Sequence, residues 1–321
     1  MGWRTMVCVN FLAQTVRAPE QNKIWELVKE SVSQEVDICG FQQANVWQPE
    51  QAKLLADSFY RYYPIAQLAS FGIFSTELIP SRYSIIPLFV AHRLWNDTPG
   101  YRFEKMFRWF LLVNRDGRYA GATISNLDED LQTLAEAHDF SEALTELLRR
   151  LRVSFVISQE DLLTRYDQAA GSRFMMLMLY LALRDRGAKD WVDGTPIGYG
   201  DTLSGLTERF RPNWYHIYPE SELGGAGIDG DKMHWFGNIT VFNQQTNVSN
   251  LSNTVPARYL AQYKITSEAL YAHFVPTPFI EPVKAGESLE ERWGAANYAD
   301  FVLGRSAELA KGMTEFLRRL E

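Results

Sequence analysis

The chain has 321 residues, of which 46% are hydrophobic and 22% charged, with a net charge of −7. This balance excludes a disordered, collagen-like or low-complexity chain and supplies apolar material for one or two folded domains. The acidic net charge argues against general affinity for nucleic acid and confines any phosphate contact to a local basic patch.

In chain order, the first 190 residues or so read as helices. Apolar residues at Ile24, Leu27, Val28 and Val32 follow Pro19 with helical spacing, and Pro49 opens a second helix running to about Tyr60. Ser81 to Trp95 is almost wholly apolar, which predicts a helix in the middle of the core, and the aromatic-rich Phe103 to Val113 follows. An acidic helix opens at Asn126, Ser141 is expected to cap the next, and Phe174 to Leu183 reads as another buried helix. The predicted core includes Ile85, Leu88, Phe89, Phe110, Leu111, Met176 and Leu179. Arg118 is expected to pair with Asp128 or Asp130.

The texture changes near Asp193, where Gly and Asn become frequent and strand-like fragments appear in NWYHIYP and GNITVF. Helical pattern returns from Pro256 and from Ser267 to His273, and a Pro-rich link leads to a last helix from about Tyr298 to Leu320. The expectation is a mainly α protein, a helical bundle with an embedded small α/β module. Three parts are expected: a helical domain over 1–195, the module over 196–275, and 276–321 as a linker and closing helix packing back on the helical domain.

Only two cysteines occur, Cys8 and Cys39, without a CxxC pair. That excludes a disulfide framework or a four-cysteine zinc site and suits a reducing cytosol. No apolar run reaches the ~18 residues of a membrane span. The opening MGWRTMVCVNFLAQ lacks a small-residue cleavage site, so neither a membrane association nor a signal peptide is expected, and the expected location is cytoplasmic.

The chemistry-bearing residues fall in the module. His216 ends a short strand-like segment closed by Pro219, Asn238 begins a second strand-like segment, and Asn247 lies where a helix would open. Strand with His, strand with Asn, helix with Asn is the order of a ββα-metal site. Such a site needs an imidazole to take a proton, an amide to hold the ring and an oxygen ligand for one divalent cation. Read alone, His216 would be a core histidine in a sheet. His234, beside Trp235, reads as a surface histidine or as a substitute ligand; Asp229 and Asp231 read as a turn. His92, His138 and His273 read as structural.

HIYP, GNITVFNQQTN and SNLSNTVPARYL together resemble the HNH-like nuclease module of GmrSD-type and SspE-type restriction proteins. FRWFLLVNRDGRYAGATISNLDEDL is similar to that family's Arg-Tyr-Ser-Gly helical segment, and FSTELIPSRYSIIPLFV to the region before it. YADFVLGRSAELAKGMTEFL is similar to its closing helix with a Phe-x-x-x-Arg pattern, so the resemblance covers roughly residues 70 to 320. The resemblance implies an HNH-type, metal-dependent DNA endonuclease module of a restriction or antiviral defence system. His216 and Asn238 would be catalytic, with Asn247 on a Mg²⁺ or Mn²⁺ ion.

Two features depart from the family. The Asp-Gly-Gln-Gln-Arg signature of its ParB-like NTPase half is missing, with only Gly40-Phe-Gln-Gln in its place. A ParB-like NTPase domain or subunit is therefore an expected partner, the chain reading as a truncated or separately encoded half. Tyr215 stands where the family places an acidic or histidine metal ligand.

Arg209, Arg211, Lys232, Arg258 and Lys264 are the expected DNA contacts, although Glu208, Glu220, Glu222, Asp229 and Asp231 share the stretch. Cutting both strands with a single-site module would call for a homodimer. The alternative functional reading is a catalytically degenerate subunit that binds DNA or an NTPase partner; an unrelated helical scaffold with a chance motif is the third.

Overall fold

A computed structural model describes residues 63–74, 76–121, 123–167, 171–198, 210–244, 254–283 and 285–321. The helices expected over 20–36 and 49–60 lie outside these residues. The protein is mainly helical, with one small two-stranded antiparallel sheet among the described residues. It divides into two compact units, one comprising residues up to Val153 with Leu320 and Glu321, the other Ser154–Arg319. The division falls at 153/154, not at the expected 195. Residues 154–195 belong to the same unit as the strands and the closing helix.

The first unit contains α1 (Tyr63–Ser70), α2 (Ile85–Trp95), α3 (Phe103–Asp116), α4 (Thr123–Glu136) and α5 (Phe140–Arg149). Helix α2 starts later than the apolar run suggests, after a 3₁₀ turn over Arg82–Ser84. Pro87 has no amide hydrogen to donate, and a start at Ile85 puts it in the first turn, where none is needed. Nine of the eleven α2 residues are buried, from Ile85 through His92 and at Trp95. Asn114 of α3 ties the preceding turn down: its amide donates to Ser84 Oγ at 2.9 Å and its oxygen accepts from Ser81 N at 3.0 Å. Gly117, at φ +68°, terminates α3 in the left-handed conformation.

Beyond that glycine, Arg118 grips Asp130 through Nε and Nη2 at 2.9 and 3.0 Å, as expected for one of its two candidate partners. The Tyr119 hydroxyl donates to the same carboxylate at 2.7 Å. The cap of α5 is Asp139 and not Ser141. The Asp139 carboxylate accepts from Glu142 N at 2.9 Å, and Ser141 lies inside the helix.

The second unit is built around α14 (Tyr298–Arg319), which packs against α6 (Gln159–Leu162), α7 (Ser172–Asp185) and a 3₁₀ turn over Phe236–Asn238. Its sheet pairs β1 (Pro212–His216) with β2 (Ile239–Asn243), Trp214 opposite Val241 and His216 opposite Ile239. Two short helices, α8 (Glu220–Gly225) and α9 (Gly230–Met233), fill the connection. α10 (Pro256–Gln262), α11 (Ser267–Ala272), α12 (Thr277–Ile280) and α13 (Leu289–Arg292) follow the ribbon. An aromatic core of Trp191, Tyr215, Tyr218, Phe242, Tyr259, Trp293 and Phe301 fills the space between them.

Of the predicted core residues, Ile85, Leu88, Phe89, Phe110, Leu111 and Leu179 are buried. Met176 is the exception: it is only partly buried, on the side of α7 that carries the exposed Arg173, while Met175 and Met178 face inward. Leu88→Ala should therefore cost ~2–5 kcal/mol as a cavity-forming change, and Met176→Ala clearly less. Denaturant midpoints of the two variants check the contrast.

His273 is fully buried; its Nε2–H donates to Lys189 O and its Nδ1 accepts from the Thr240 hydroxyl, both at 2.7 Å. Burial pulls its pKa from the ordinary 6.5 to about 3, against the Lys189 hydrogen bond, which favours the proton. As pH falls from the unfolded-state value toward about 3, the unfolded chain binds a proton that the folded chain refuses. This residue then removes up to ~1.4 kcal/mol of stability per pH unit. His273→Gln should be less stable than wild type near neutral pH, and the gap should narrow on acidification. Urea unfolding followed across that window measures it.

Candidate metal and catalytic site

β1 ends at His216, and the chain turns over buried Ile217 and Tyr218 to Pro219, which opens α8 with Glu220 as its first residue. The 3.3 Å rise and alternating faces of a strand send neighbouring side chains in opposite directions. Tyr215 accordingly enters the core, 5.1 Å from the Phe242 ring, while His216 faces outward and is partly exposed. Tyr215 is thereby turned away from the face that carries His216.

On the other side of the connection, α9 is capped by Asp229, whose carboxylate accepts from Asp231 N at 2.9 Å. These two aspartates hold a helical turn together. The next residue after α9 is His234, and its Nδ1 lies 3.1 Å from His216 Nε2. Glu220 Oε1 lies 3.8 Å from His234 Nδ1 and 3.8 Å from His216 Nδ1. One ligand atom from each of the three residues falls within 4.8 Å of the other two.

The expected clamp between Asn238 and the imidazole is absent, and this is the main correction to the sequence reading. Asn238 is completely buried, with its oxygen accepting from Tyr218 N at 2.8 Å. Its amide donates to Tyr218 O at 3.1 Å and to Met233 O at 2.9 Å. The side chain thus fastens the turn after His216 to the residue preceding His234. Asn238 locates both rings without touching either; the group that meets His216 is His234.

A third segment closes the site. Tyr166 N donates to His234 O at 3.0 Å and Phe236 N to Thr164 O at 3.2 Å, so residues 164–166 run alongside 234–236. The Tyr166 ring stands edge-on to His216, centroids 5.5 Å apart. Arg165 forks onto Asp167 through Nε and Nη2, both at 3.0 Å, and reaches Asp231 through Nη1 at 2.8 Å.

Burial lowers the His216 pKa, and the neighbouring His234 acts in the same direction, whereas Glu220 and Asp167 oppose it. The ring is neutral near pH 7, with a nitrogen lone pair to offer. Burial raises the Tyr166 pKa, and Asp167 and Glu220 add to that, so its hydroxyl stays protonated. Two imidazoles and one carboxyl side chain are a suitable donor set for a divalent cation of the transition series, and they fit the Mg²⁺ that the resemblance implies poorly.

The remaining expected residues disperse. Asn247 and Arg209 lie outside the described residues. Arg211 is exposed at the far end of β1, about 16 Å of strand from His216. Lys232 is exposed on α9, with its ammonium 6.0 Å from the Trp235 ring. Arg258 is exposed on α10 and Lys264 just beyond it. Glu220, Tyr166 and Asp167 were not expected at the site. The four-residue His216–Glu220 spacing was a readable signal for the first, but nothing in the sequence ties 166–167 to a strand fifty residues later.

No protein-family model matches the chain, and no curated protein matches it. Among the described residues no helix is long and apolar enough to cross a membrane.

Because the buried Asn238 side chain satisfies three backbone groups, two of them buried, Asn238→Ala should destabilise the protein by ~2–4 kcal/mol. An amide serving only to orient an exposed ring would cost far less, and chemical denaturation separates the two roles.

Proposed function

We propose that this chain is a divalent-metal-dependent hydrolase of DNA phosphodiester bonds, an HNH-like endonuclease module working at His216, His234 and Glu220. The observation that carries the reading is the meeting of these three side chains at the end of the β-ribbon where the 217–238 connection joins its strands. The connection there is fixed by a buried asparagine, within the ordered His-Ile-x-Pro and Gly-Asn-Ile-Thr motifs. A bound cation would act as a Lewis acid on the scissile phosphate and stabilise the charge that develops on the leaving oxygen. Glu220 would supply negative charge against the cation, and the two imidazoles would supply nitrogen lone pairs. Tyr166 covers one side of His216 and limits the water that reaches the rings. In this reading His216 passes from proton acceptor to cation-holding group, since its Nε2 faces another imidazole instead of open cleft. The role in restriction or antiviral defence, and the need for a ParB-like NTPase partner, rest on the resemblance.

A second reading is a nuclease-like subunit that binds DNA or that partner without cutting. Tyr215 favours it, being turned into the core. So do the carboxyl groups of Asp167 and Glu220, which lie near the histidines and repel a phosphate backbone unless a cation intervenes. Supercoiled plasmid incubated with the 321-residue chain and Mg²⁺, Mn²⁺ or Zn²⁺ separates the two. Metal-dependent nicking that falls at least ~100-fold in His216→Ala is expected for the hydrolase. DNA binding without nicking in any metal supports the second reading.

A further inference from the structure

We infer that His216, His234 and Glu220 form a binding site for a single borderline transition-metal ion, of the Zn²⁺, Co²⁺ or Ni²⁺ kind, and that Mg²⁺ is a poor occupant. The inference deepens the proposed function by naming the ion and its ligands, and it rests on that reading only for the ion's purpose.

The two rings stand at the separation of ligands that share one ion. Two nitrogens bound side by side to one ion at about 2.1 Å stand about 3.0–3.4 Å apart, depending on whether the geometry is octahedral or tetrahedral. His216 Nε2 and His234 Nδ1 are 3.1 Å apart. The carboxylate oxygen of Glu220 is 3.8 Å from His234 Nδ1, close enough for a small side-chain rotation to bring it onto the same ion. Glu220 is well exposed and free to make that rotation, while both rings are largely covered and held.

Their mounting is rigid on three sides. Asn238 joins Tyr218 to Met233, Tyr166 N holds His234 O, and Ile217 N donates to Asn238 O at 2.8 Å. The rings therefore keep their separation without a ligand, and little conformational freedom is lost on binding.

The chemistry of the donors sets the ion. Magnesium prefers an octahedron of hard oxygens and gives up water reluctantly, so two imidazoles and one carboxylate hold it weakly. Imidazole nitrogen suits Zn²⁺, Ni²⁺ and Cu²⁺, with affinity rising from Mn²⁺ to a maximum at Cu²⁺ and falling again at Zn²⁺. Three protein donors leave coordination positions open to water or a phosphate oxygen, as in catalytic rather than structural zinc sites. The arrangement also accounts for Tyr215. With a second imidazole contributed from the end of α9, the strand residue before His216 is not needed as a ligand and is free to join the core.

A hydrogen bond between the two rings would produce the same 3.1 Å separation with no ion involved, so binding itself must be measured. The metal-free full chain is titrated with Co²⁺, whose d–d absorption reports nitrogen and oxygen ligation, and with Zn²⁺ and Mg²⁺ by calorimetry and thermal melting. One equivalent of Zn²⁺ should bind and raise the melting temperature, Co²⁺ should develop visible bands, and Mg²⁺ at the same concentration should do neither. His234→Ala and Glu220→Gln should each weaken Zn²⁺ by at least about 10–100-fold, the loss typical of even an outer-shell partner. Metal-free circular dichroism of both variants should match wild type, which separates a lost ligand from a lost fold. Zn²⁺ affinity unchanged in both variants, or Mg²⁺ binding more tightly than Zn²⁺, would overturn the inference. Tight Zn²⁺ binding without plasmid nicking would leave it standing and remove the endonuclease reading.

Discussion

The second unit depends on one buried cation. Arg305 of α14 is completely inaccessible, and its guanidinium is met by backbone carbonyls. Nε donates to His273 O at 2.9 Å, and Nη1 to Gly237 O at 2.9 Å and Ile239 O at 2.7 Å. Burial pulls its pKa down to about 9, the nearby Tyr259 opposing this, so the group remains charged at neutral pH. An isolated buried charge is expensive, and what compensates it here is a convergence of carbonyl dipoles. Those dipoles come from the turn that starts β2 and from the residue after α11. A single side chain thus fixes the distance between the closing helix, the ribbon and the helical segment behind it.

Close packing completes the constraint. A β-carbon on Gly237 would stand 2.5 Å from Ser306 Oγ and 2.6 Å from Val302 O, so only glycine lets the turn approach α14 this nearly. Gly237 precedes Asn238, and Asn238 ties Tyr218 to Met233. The chain of dependence therefore runs from Arg305 through the 236–238 turn to the two residues that carry the histidines. Rigid ring placement at the surface is a consequence of helix packing in the interior, which is how a two-stranded ribbon, marginal by itself, can hold a defined site.

Much of this organisation was legible in the chain. The apolar run ending at Trp95, the strands around His216 and Asn238, and the last helix from Tyr298 follow from periodicity and from Pro and Gly punctuation. The misses have local causes. Ser141 is a good capping residue type, but Asp139 stands three residues before an amide that needs an acceptor. Met176 belongs to an apolar run with one side left toward solvent. The site was legible as a pair of strands and illegible as a set of contacts. Asparagine has the same appearance in sequence whether its amide meets an imidazole or three backbone groups. The expected imidazole contact belonged to a side chain that the fold spends on the backbone. The join between residues 164–166 and 234–236 is a tertiary pairing with no local signal.

The electrostatics of the site explain why its composition is mixed. Asp167 and Asp231 share the single guanidinium of Arg165, so the rim is only partly neutralised. Among the described residues, the ion-pair neighbours of Glu220 are the two histidine rings. Two imidazoles beside a carboxyl side chain create a local demand for positive charge that can be met in two ways, by a proton shared between the rings or by a cation. The proton is disfavoured at His216, whose pKa burial has lowered. A divalent ion satisfies the carboxylate and both lone pairs together, and would leave the cluster with a net positive charge of about one unit. Such a charge would weaken the repulsion that the carboxylates at this surface exert on an approaching anion.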